Sequence, residues 1–544
     1  MPAGVAKFRS RVLGLLGIAV GLSLASAQQA PTQAPAVAPA PGTSPEASSA
    51  PAAQASRPSE TVTKVDEVTI GGETIRYRVS AGRLPLADEE GKAKAHVFHI
   101  AYEKLDAAGL PVAQTNPGSR PILFSFNGGP GSSSVWLHLG TIGPRRVVMG
   151  PEGEPLPPPS ALLPNQESWL DLADLVFIDP VTTGFSRAAA GESDKQFHGL
   201  DEDVQSVGQF IHLYLNRNNR WASPKFIAGE SYGTTRAAHL TNHLQDRYGM
   251  YINGVVLVSA ILNFGTARFD VGNDTPHWMF LPTYAATAWY HQRLVPELQQ
   301  MPLETFLDEV ERFAQTDYLL ALAAGADLPE DAQQRVAAQI ARYTGVSEQF
   351  VRRADLRLVI SNFTKELLRD EGLTVGRLDS RYTGVDRTDI GATGEFDPSY
   401  AAILGTYSGA INDYLRRDLG YTSDLPYEIL TGRVQPWNYA SATNQYVNVA
   451  ESLRAAMTRN RSLRVLINCG YFDLATPYFA AERTVAQIGL GLDPELREQF
   501  TLTYYPSGHM MYVRDADRIK LKADVAAWMA DWMADRNNAT RRDE

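Results

Sequence analysis

The run Gly229-Glu-Ser-Tyr-Gly233 places a serine between two glycines, each two positions away. A buried-type stretch, Lys225–Ala228, precedes it, and a stretch of helical periodicity, Thr234–Arg247, follows it. A serine on so sharp a strand-to-helix turn sits in strained backbone, and glycines on either side tolerate the close approach. The free N–H groups of the next helix then face charge that develops beside Ser231. A nucleophilic serine needs a base, and the base needs an acid that fixes its tautomer. After His291 the only histidine is His509, in Pro506-Ser-Gly-His-Met510. Asp473 follows the apolar run Leu463–Asn468, so the candidates run Ser231, Asp473, His509 along the chain. That order is expected when each partner occupies a loop after a later strand. Asp515 and Asp517 come after His509 and break it. The competing readings are a structural His509 and an Asp473 that only caps a helix. A third requirement is a pair of N–H donors for an oxyanion. The loop Asn127-Gly-Gly-Pro-Gly131 stands where one would arise, and Tyr232, beside the nucleophile, offers the other. A phosphate-cradling loop is the alternative, but serines follow Gly131 and the lysine of such loops is missing.

These residues need a scaffold. Glu67–Val79 and His96–Tyr102 read as strands around a polar turn at 88–94. Pro121–Phe126, Asp174–Ile178, Lys225–Ala228 and Gly254–Ser259 read as buried strands. Asp201–Asn216 carries Val204, Val207, Phe210, Ile211 and Tyr214 at helical spacing. Alternating strands and helices of these lengths imply βαβ units and a mainly parallel sheet. Residues 275–435 change character and are largely helical, as in Leu303–Ala314, Glu330–Tyr343 and Tyr400–Leu415. Strands return at Leu463–Asn468 and Phe500–Tyr505, and Ile519–Met533 closes as an amphipathic helix. The expectation is an α/β-hydrolase fold: a mainly parallel central sheet, with its core in residues 61–274 and 436–536 and a helical lid inserted at 275–435.

The chain opens with basic residues Lys7, Arg9 and Arg11, an apolar run Val12–Leu24, and Ala25-Ser-Ala27. This is the pattern of a signal peptide over residues 1–27, with an apolar run too short to span a bilayer comfortably. Residues 28–60, dominated by Ala, Pro, Gln and Ser, read as a disordered linker. No later stretch is long and apolar enough for a membrane helix, so an exported protein, periplasmic or extracellular, is expected. The composition is that of a globular protein, 44% hydrophobic and 20% charged, and a net charge of −11 gives a nucleic-acid role no support. Cys469 is the only cysteine, which excludes an intrachain disulfide and thiolate zinc sites. His239 and His243 stand four apart on a helix without a third ligand and read as surface or packing residues, so neither metal nor cofactor is expected.

Taken together, Asn127-Gly-Gly-Pro-Gly-Ser-Ser133, Gly143-Pro144, Asn165 with Trp169, Gly184-Phe-Ser186, Gly229-Glu-Ser-Tyr232, Asp473 and Gly508-His-Met510 resemble the serine carboxypeptidase family. The resemblance implies a serine hydrolase that releases single residues from the C-terminus of a peptide through an acyl-enzyme. It assigns Ser231, Asp473 and His509 as the triad, Gly129 and Tyr232 as oxyanion donors, and Asn127 and Glu230 as residues that hold the substrate carboxylate. Asn127 can donate to a carboxylate, whereas Glu230 helps only when protonated, which favours acidic conditions for peptide cleavage. Glu230 as a carboxylate that merely caps a turn is the other reading. Departures are equally plain. Ser125 stands where the family carries a tryptophan, and Thr141 where it carries a second glutamate. Arg145 or Arg146 could replace the lost group as a cation or be surface residues, and Tyr284, Trp289 and Tyr290 could line a side-chain pocket or fill core. A peptide or a small ester or amide is the expected partner. An esterase or acyltransferase with the same triad, and a catalytically silent binding protein on this fold, are the competing functions.

Overall fold

The protein is described by a computed structural model covering residues 61–542. The expected signal peptide, 1–27, and the expected linker, 28–60, lie outside the described residues.

Nine strands form the path of the central sheet: β1 (Val62–Ile70), β2 (Glu73–Ala87), β3 (Ala93–Lys104), β4 (Ile122–Phe126), β5 (Asp174–Ile178), β6 (Lys225–Ser231), β7 (Gly254–Ala260), β8 (Arg464–Gly470) and β9 (Phe500–Tyr505). Their spatial order is β1-β2-β3-β5-β4-β6-β7-β8-β9, with the short strand Arg187–Ala188 paired to β3 off this path. From β5 to β9 every neighbouring pair is parallel, while β1, β2 and β3 add an antiparallel meander at one edge. The sheet is therefore mainly parallel, with the expected α/β architecture. Strands β4 to β8 are buried on both faces, as parallel strands covered by crossover helices must be. In β4, Ile122, Phe124 and Phe126 enter one core cluster and Leu123 the other, the two-residue alternation of a pleated strand.

One face is covered by α1 (Leu200–Arg217), α2 (Tyr232–Tyr248), α8 (Ala450–Arg459) and α9 (Tyr478–Ile488). The other is covered by α7 (Pro398–Asp413) and the terminal α10 (Asp515–Arg542). Between β7 and β8 the chain is mostly helical: α3 (Thr275–Tyr290), α4 (Leu303–Phe313), α5 (Glu330–Thr344), α6 (Ile360–Glu366) and α7. Phe280, Tyr284, Phe306, Ile340 and Phe363 from this stretch join the same apolar cluster as α1 and α2. Thr374–Val375 and Thr383–Gly384 pair as a small antiparallel ladder within it.

Glu67–Val79, read above as one strand, is instead parts of two. The chain reverses at Gly71-Gly72, both at positive φ, and β2 pairs back on β1. The alternation of β-favouring residues continues through the turn, so only the glycine pair signals the break.

Candidate active site

Ser231 ends β6 and stands as the N-cap of α2, with φ 60° and ψ −128°. A non-glycine residue held there stores roughly 1–3 kcal/mol of strain, which the surrounding packing must offset. The loop after β4 packs against this turn with almost no clearance. A Cβ on Gly128 would stand 2.4 Å from the backbone nitrogen of Tyr232. Any larger residue would push the loop away from the serine, so the glycine at 128 follows from close approach.

The loops after β8 and β9 bring Asp473 and His509 together. His509 Nδ1 lies 2.7 Å from Asp473 Oδ2, and the aspartate is fully buried. Its other oxygen accepts the N–H groups of Ala475 and Thr476 at 2.8 and 2.9 Å, and the Thr476 hydroxyl donates to Oδ2 at 2.7 Å. These bonds hold the loop ahead of α9, whose N-cap is Pro477, so Asp473 does not cap that helix. Burial disfavours a charged His509, but the charge and hydrogen bond of Asp473, aided by Glu230, outweigh it and raise the proton affinity above the ordinary 6.5. Such a histidine is a stronger base with a fixed ring orientation. Asp515 and Asp517 are engaged elsewhere, with Arg518 and Ser507.

Glu230 is 3% exposed and lies between two donors. Asn127 Nδ2 donates to one oxygen at 3.0 Å, and the Tyr512 hydroxyl to the other at 2.5 Å. Burial pushes this carboxyl up to about 7 despite the opposing effects of His509, Tyr512 and Asn127. Asn127 is itself oriented, since its Oδ1 accepts the Leu137 N–H at 3.1 Å. The Tyr512 ring lies against Gly140, where a Cβ would come within 2.3 Å of it. Ser125 and Thr141 are fully buried, and neither hydroxyl has a hydrogen-bond partner among the described residues.

Arg236, on α2, is the brace of the glycine loop. It is buried, pairs with Asp203 of α1 at 2.6 Å, and donates to the Asn127 carbonyl at 2.6 Å. Its guanidinium also faces the rings of Phe126 and Tyr232 at 5.0 and 5.5 Å. A second brace comes from residues 377–380. The Arg377 carbonyl accepts the Leu474 N–H at 3.1 Å, and the Leu378 carbonyl accepts the His509 N–H at 2.7 Å. Asp379 Oδ2 accepts the Gly508 N–H at 3.0 Å, and the Ser380 N–H donates to the Phe472 carbonyl at 3.0 Å. One inserted segment therefore ties both loops that carry Asp473 and His509.

Asn127, Gly129, Glu230, Ser231, Tyr232 and His509 all line one cavity of about 560 Å³. Asp473 stands behind His509. Gly129 and Tyr232 line this cavity with the serine, and their N–H groups are the candidate oxyanion donors. Arg145 and Arg146 are not among the lining residues, and Arg145 pairs with Asp66 at 2.9 Å. Tyr284 is fully buried against Phe363, Tyr290 packs on Phe472, and neither they nor Trp289 line this cavity. His239 pairs with Asp201 at 2.9 Å, and among the described residues no group of His, Cys, Asp and Glu could hold a metal. The thiol of Cys469 is buried, and burial pushes it up, away from reactivity.

Tyr512, Arg236 and the 377–380 segment are functional-site residues that the sequence reading missed. Tyr512 stands three residues after His509, and that proximity was the one signal for it.

The profile of the serine carboxypeptidase family matches residues 88–268. Serine carboxypeptidase-like 51 of Arabidopsis thaliana is 30% identical over 177 residues, covering 31% of this chain and 34% of that protein. Serine carboxypeptidase-like 46 of the same plant is 29% identical over 225 residues, 38% of this chain and 42% of its own. Pheromone-processing carboxypeptidase KEX1 of Saccharomyces cerevisiae is 32% identical over 168 residues, 28% of this chain and 21% of that one. The chain thus spans roughly a fifth to two fifths of the length of these relatives. Among solved structures, proline iminopeptidase of Mycobacterium smegmatis aligns over 86% of this chain and 98% of its own, at 12% identity and a TM-score of 0.30. Asp473 and His509 lie beyond the matched segment, whereas Asn127, Gly129 and the serine turn lie within it. Over residues 88–268 the chain is similar to the serine carboxypeptidase family.

Proposed function

We propose that the protein is a serine-type carboxypeptidase, exported to the periplasm or the medium, that releases C-terminal residues from peptides through an acyl-enzyme. The observation that carries this reading is the convergence of the strained Ser231, the Asp473–His509 pair and the Asn127–Glu230 pair on one cavity. Ser231 Oγ attacks the terminal peptide carbonyl as His509 Nε2 takes the hydroxyl proton. The oxyanion is received by the N–H groups of Gly129 and Tyr232. The tetrahedral intermediate then expels the terminal amino acid, whose amine takes the proton from His509. Water, deprotonated by the same histidine, attacks the ester and restores Ser231. Asp473 holds the imidazole through Nδ1, which leaves Nε2 to act as the base. Asn127 donates to the substrate's terminal carboxylate, and protonated Glu230 shares a proton with it. Tyr512 supplies a donor to Glu230 from the protein side, whereas the Thr141 hydroxyl bonds to no described residue. Export rests on the leader, and among the described residues no helix is long and apolar enough to cross a membrane.

A blocked dipeptide, its C-terminal amide and the corresponding ester test the reading. Preference for the free acid, lost in Asn127→Ala, is the expected result, and indifference to the terminus overturns it. An esterase or acyltransferase would show that indifference. The replacement of two family positions by Ser125 and Thr141, neither hydrogen-bonded to a described residue, is the observation in its favour. Stoichiometric labelling by a fluorophosphonate, abolished in Ser231→Ala, separates both from a silent binding protein.

A further inference from the structure

Beside the main cavity lies a second one of about 530 Å³, lined by Phe269, Val359, Ile360, Thr364, Val375 and Phe396 among others. Ile360 and Arg377 line both, so the two cavities adjoin at these residues. Arg377 is held there by its backbone and by nothing else. Its N–H donates to Asp397 Oδ1 at 3.0 Å and its carbonyl accepts from Leu474 at 3.1 Å. Its guanidinium is exposed and makes no hydrogen bond or ion pair with a described residue. Neighbouring charges of the same insertion are satisfied: Asp379 pairs with Arg381, Lys365 with Asp386, and Asp397 accepts from Leu378 and Ser399 as well as Arg377. Arg377 and His509 line the same cavity, and the charge of Arg377 opposes protonation of His509. Arg268 lines the main cavity too, over the ring of Phe264 at 5.2 Å, and the only carboxyl among the residues lining that cavity is the buried Glu230. A cleft with two guanidiniums and one recessed carboxyl is electropositive and draws anionic substrate.

We propose that Arg377 is a specificity residue that binds a carboxylate of the substrate where the two cavities meet. The proposal rests on the peptide-cleaving reading above. The fixed backbone places the guanidinium at this junction, and no internal partner must be displaced, so binding costs only the rotamer freedom of the side chain. The carboxylate comes either from an acidic side chain of the peptide or from its terminus, and both present the same planar, forked acceptor. The second cavity, walled by Phe269, Val359 and Phe396 together with Thr364, Thr393 and Asp397, would take the rest of that residue or its neighbour.

Binding measured without turnover tests this. In the full-length Ser231→Ala protein, calorimetry compares four N-blocked dipeptides: Leu-Glu, Leu-Gln, Leu-Leu and Leu-Leu amide. An exposed arginine–carboxylate contact is worth about fivefold in affinity. If the side chain is the source, Leu-Glu binds about fivefold tighter than Leu-Gln, and adding Arg377→Gln erases that preference. If the terminus is the source, the same substitution narrows the gap between Leu-Leu and its amide. Arg377→Lys keeps part of either preference. Ratios that Arg377→Gln leaves untouched, or an equal loss for all four ligands, overturn the proposal while the carboxypeptidase reading stands. Failure to bind any of the four overturns both. Because the guanidinium has no internal partner, both variants should melt with the parent protein, which separates loss of the contact from loss of fold.

Discussion

Replacing Glu230 with glutamine removes one ionisation from the cleft and leaves the serine, aspartate and histidine in place. Burial pushes the Glu230 carboxyl from 4.5 up to about 7, against the opposing influence of His509, Tyr512 and Asn127. A carboxyl can share a proton with a substrate carboxylate only while it holds that proton. With a value of about 7, roughly ten elevenths of it is protonated at pH 6 and one eleventh at pH 8, so its contribution to kcat/KM on a blocked dipeptide should fall about tenfold between them, while deprotonation of His509 acts in the opposite sense. The glutamine amide keeps its oxygen toward Asn127 and presents its N–H groups toward Tyr512 and the cleft, as the protonated acid does, and it does not titrate. The Glu230→Gln enzyme should therefore lose the alkaline limb, raising the ratio of activity at pH 8 to that at pH 6 about tenfold. A negative charge that favours protonated His509 disappears as well, which moves the acid limb to lower pH. The assay is kcat/KM from about pH 5 to 9, on an N-blocked dipeptide and on the methyl ester of the same N-blocked amino acid. The ester lacks a terminal carboxylate and should show no Glu230-dependent limb in either protein. An alkaline limb that persists in Glu230→Gln, or that is equally steep with the ester, refutes the clamp. Stability supplies a second sign. A folded value raised from 4.5 to about 7 means that the folded protein holds this proton more tightly than the unfolded chain. Its contribution is complete below 4.5 and lost as pH climbs through about 7, a change of about 3 kcal/mol at 1.36 kcal/mol per tenfold in proton affinity. Glu230→Gln should gain on the parent in thermal melts at pH 8 and lose that gain at pH 5.

Tyr512→Phe removes a donor that favours ionised Glu230, so the alkaline limb should move up by about one pH unit, read in the same profiles. Asp473→Asn should lower kcat about a thousandfold or more by releasing the imidazole tautomer, while fluorophosphonate labelling slows without change in the melting curve. Arg236→Met leaves Asp203 buried without its partner and should cost about 3–5 kcal/mol in denaturant unfolding. Gly128→Ala, whose Cβ would meet the Tyr232 nitrogen, should depress kcat with esters and peptides alike, since it disturbs the oxyanion donors rather than the clamp.

The elements that carry the chemistry were readable because each is local. The Lys225–Ala228 run, the glycines around Ser231 and the helix after it lie within one short stretch, and the structure has β6 and α2 there. His509 could be singled out because no other histidine follows His291. What stayed hidden was set by distance along the chain. Tyr512 meets Glu230 across 282 positions, and Arg236 reaches the Asn127 carbonyl across 109, with no periodicity to announce either. The 377–380 segment bonds to its loops through the backbone, which any sequence could supply. For Arg145 and Tyr284, where residue type left two readings open, an ion pair and core packing claim the side chains. The hairpin within Glu67–Val79 was missed because strand-favouring residues run straight through a two-glycine reversal.

The tie from residues 377–380 to the loops of Asp473 and His509 also sets an order of assembly. The strand, turn and helix around Ser231 can form from adjacent chain. Its base cannot be aimed until the inserted helices have folded and the last strands have docked against them. A chain nicked between 377 and 380 should therefore keep the serine turn but lose the aim of its base. Latency of this kind needs no propeptide: it is a property of where in the sequence the final hydrogen bonds are kept.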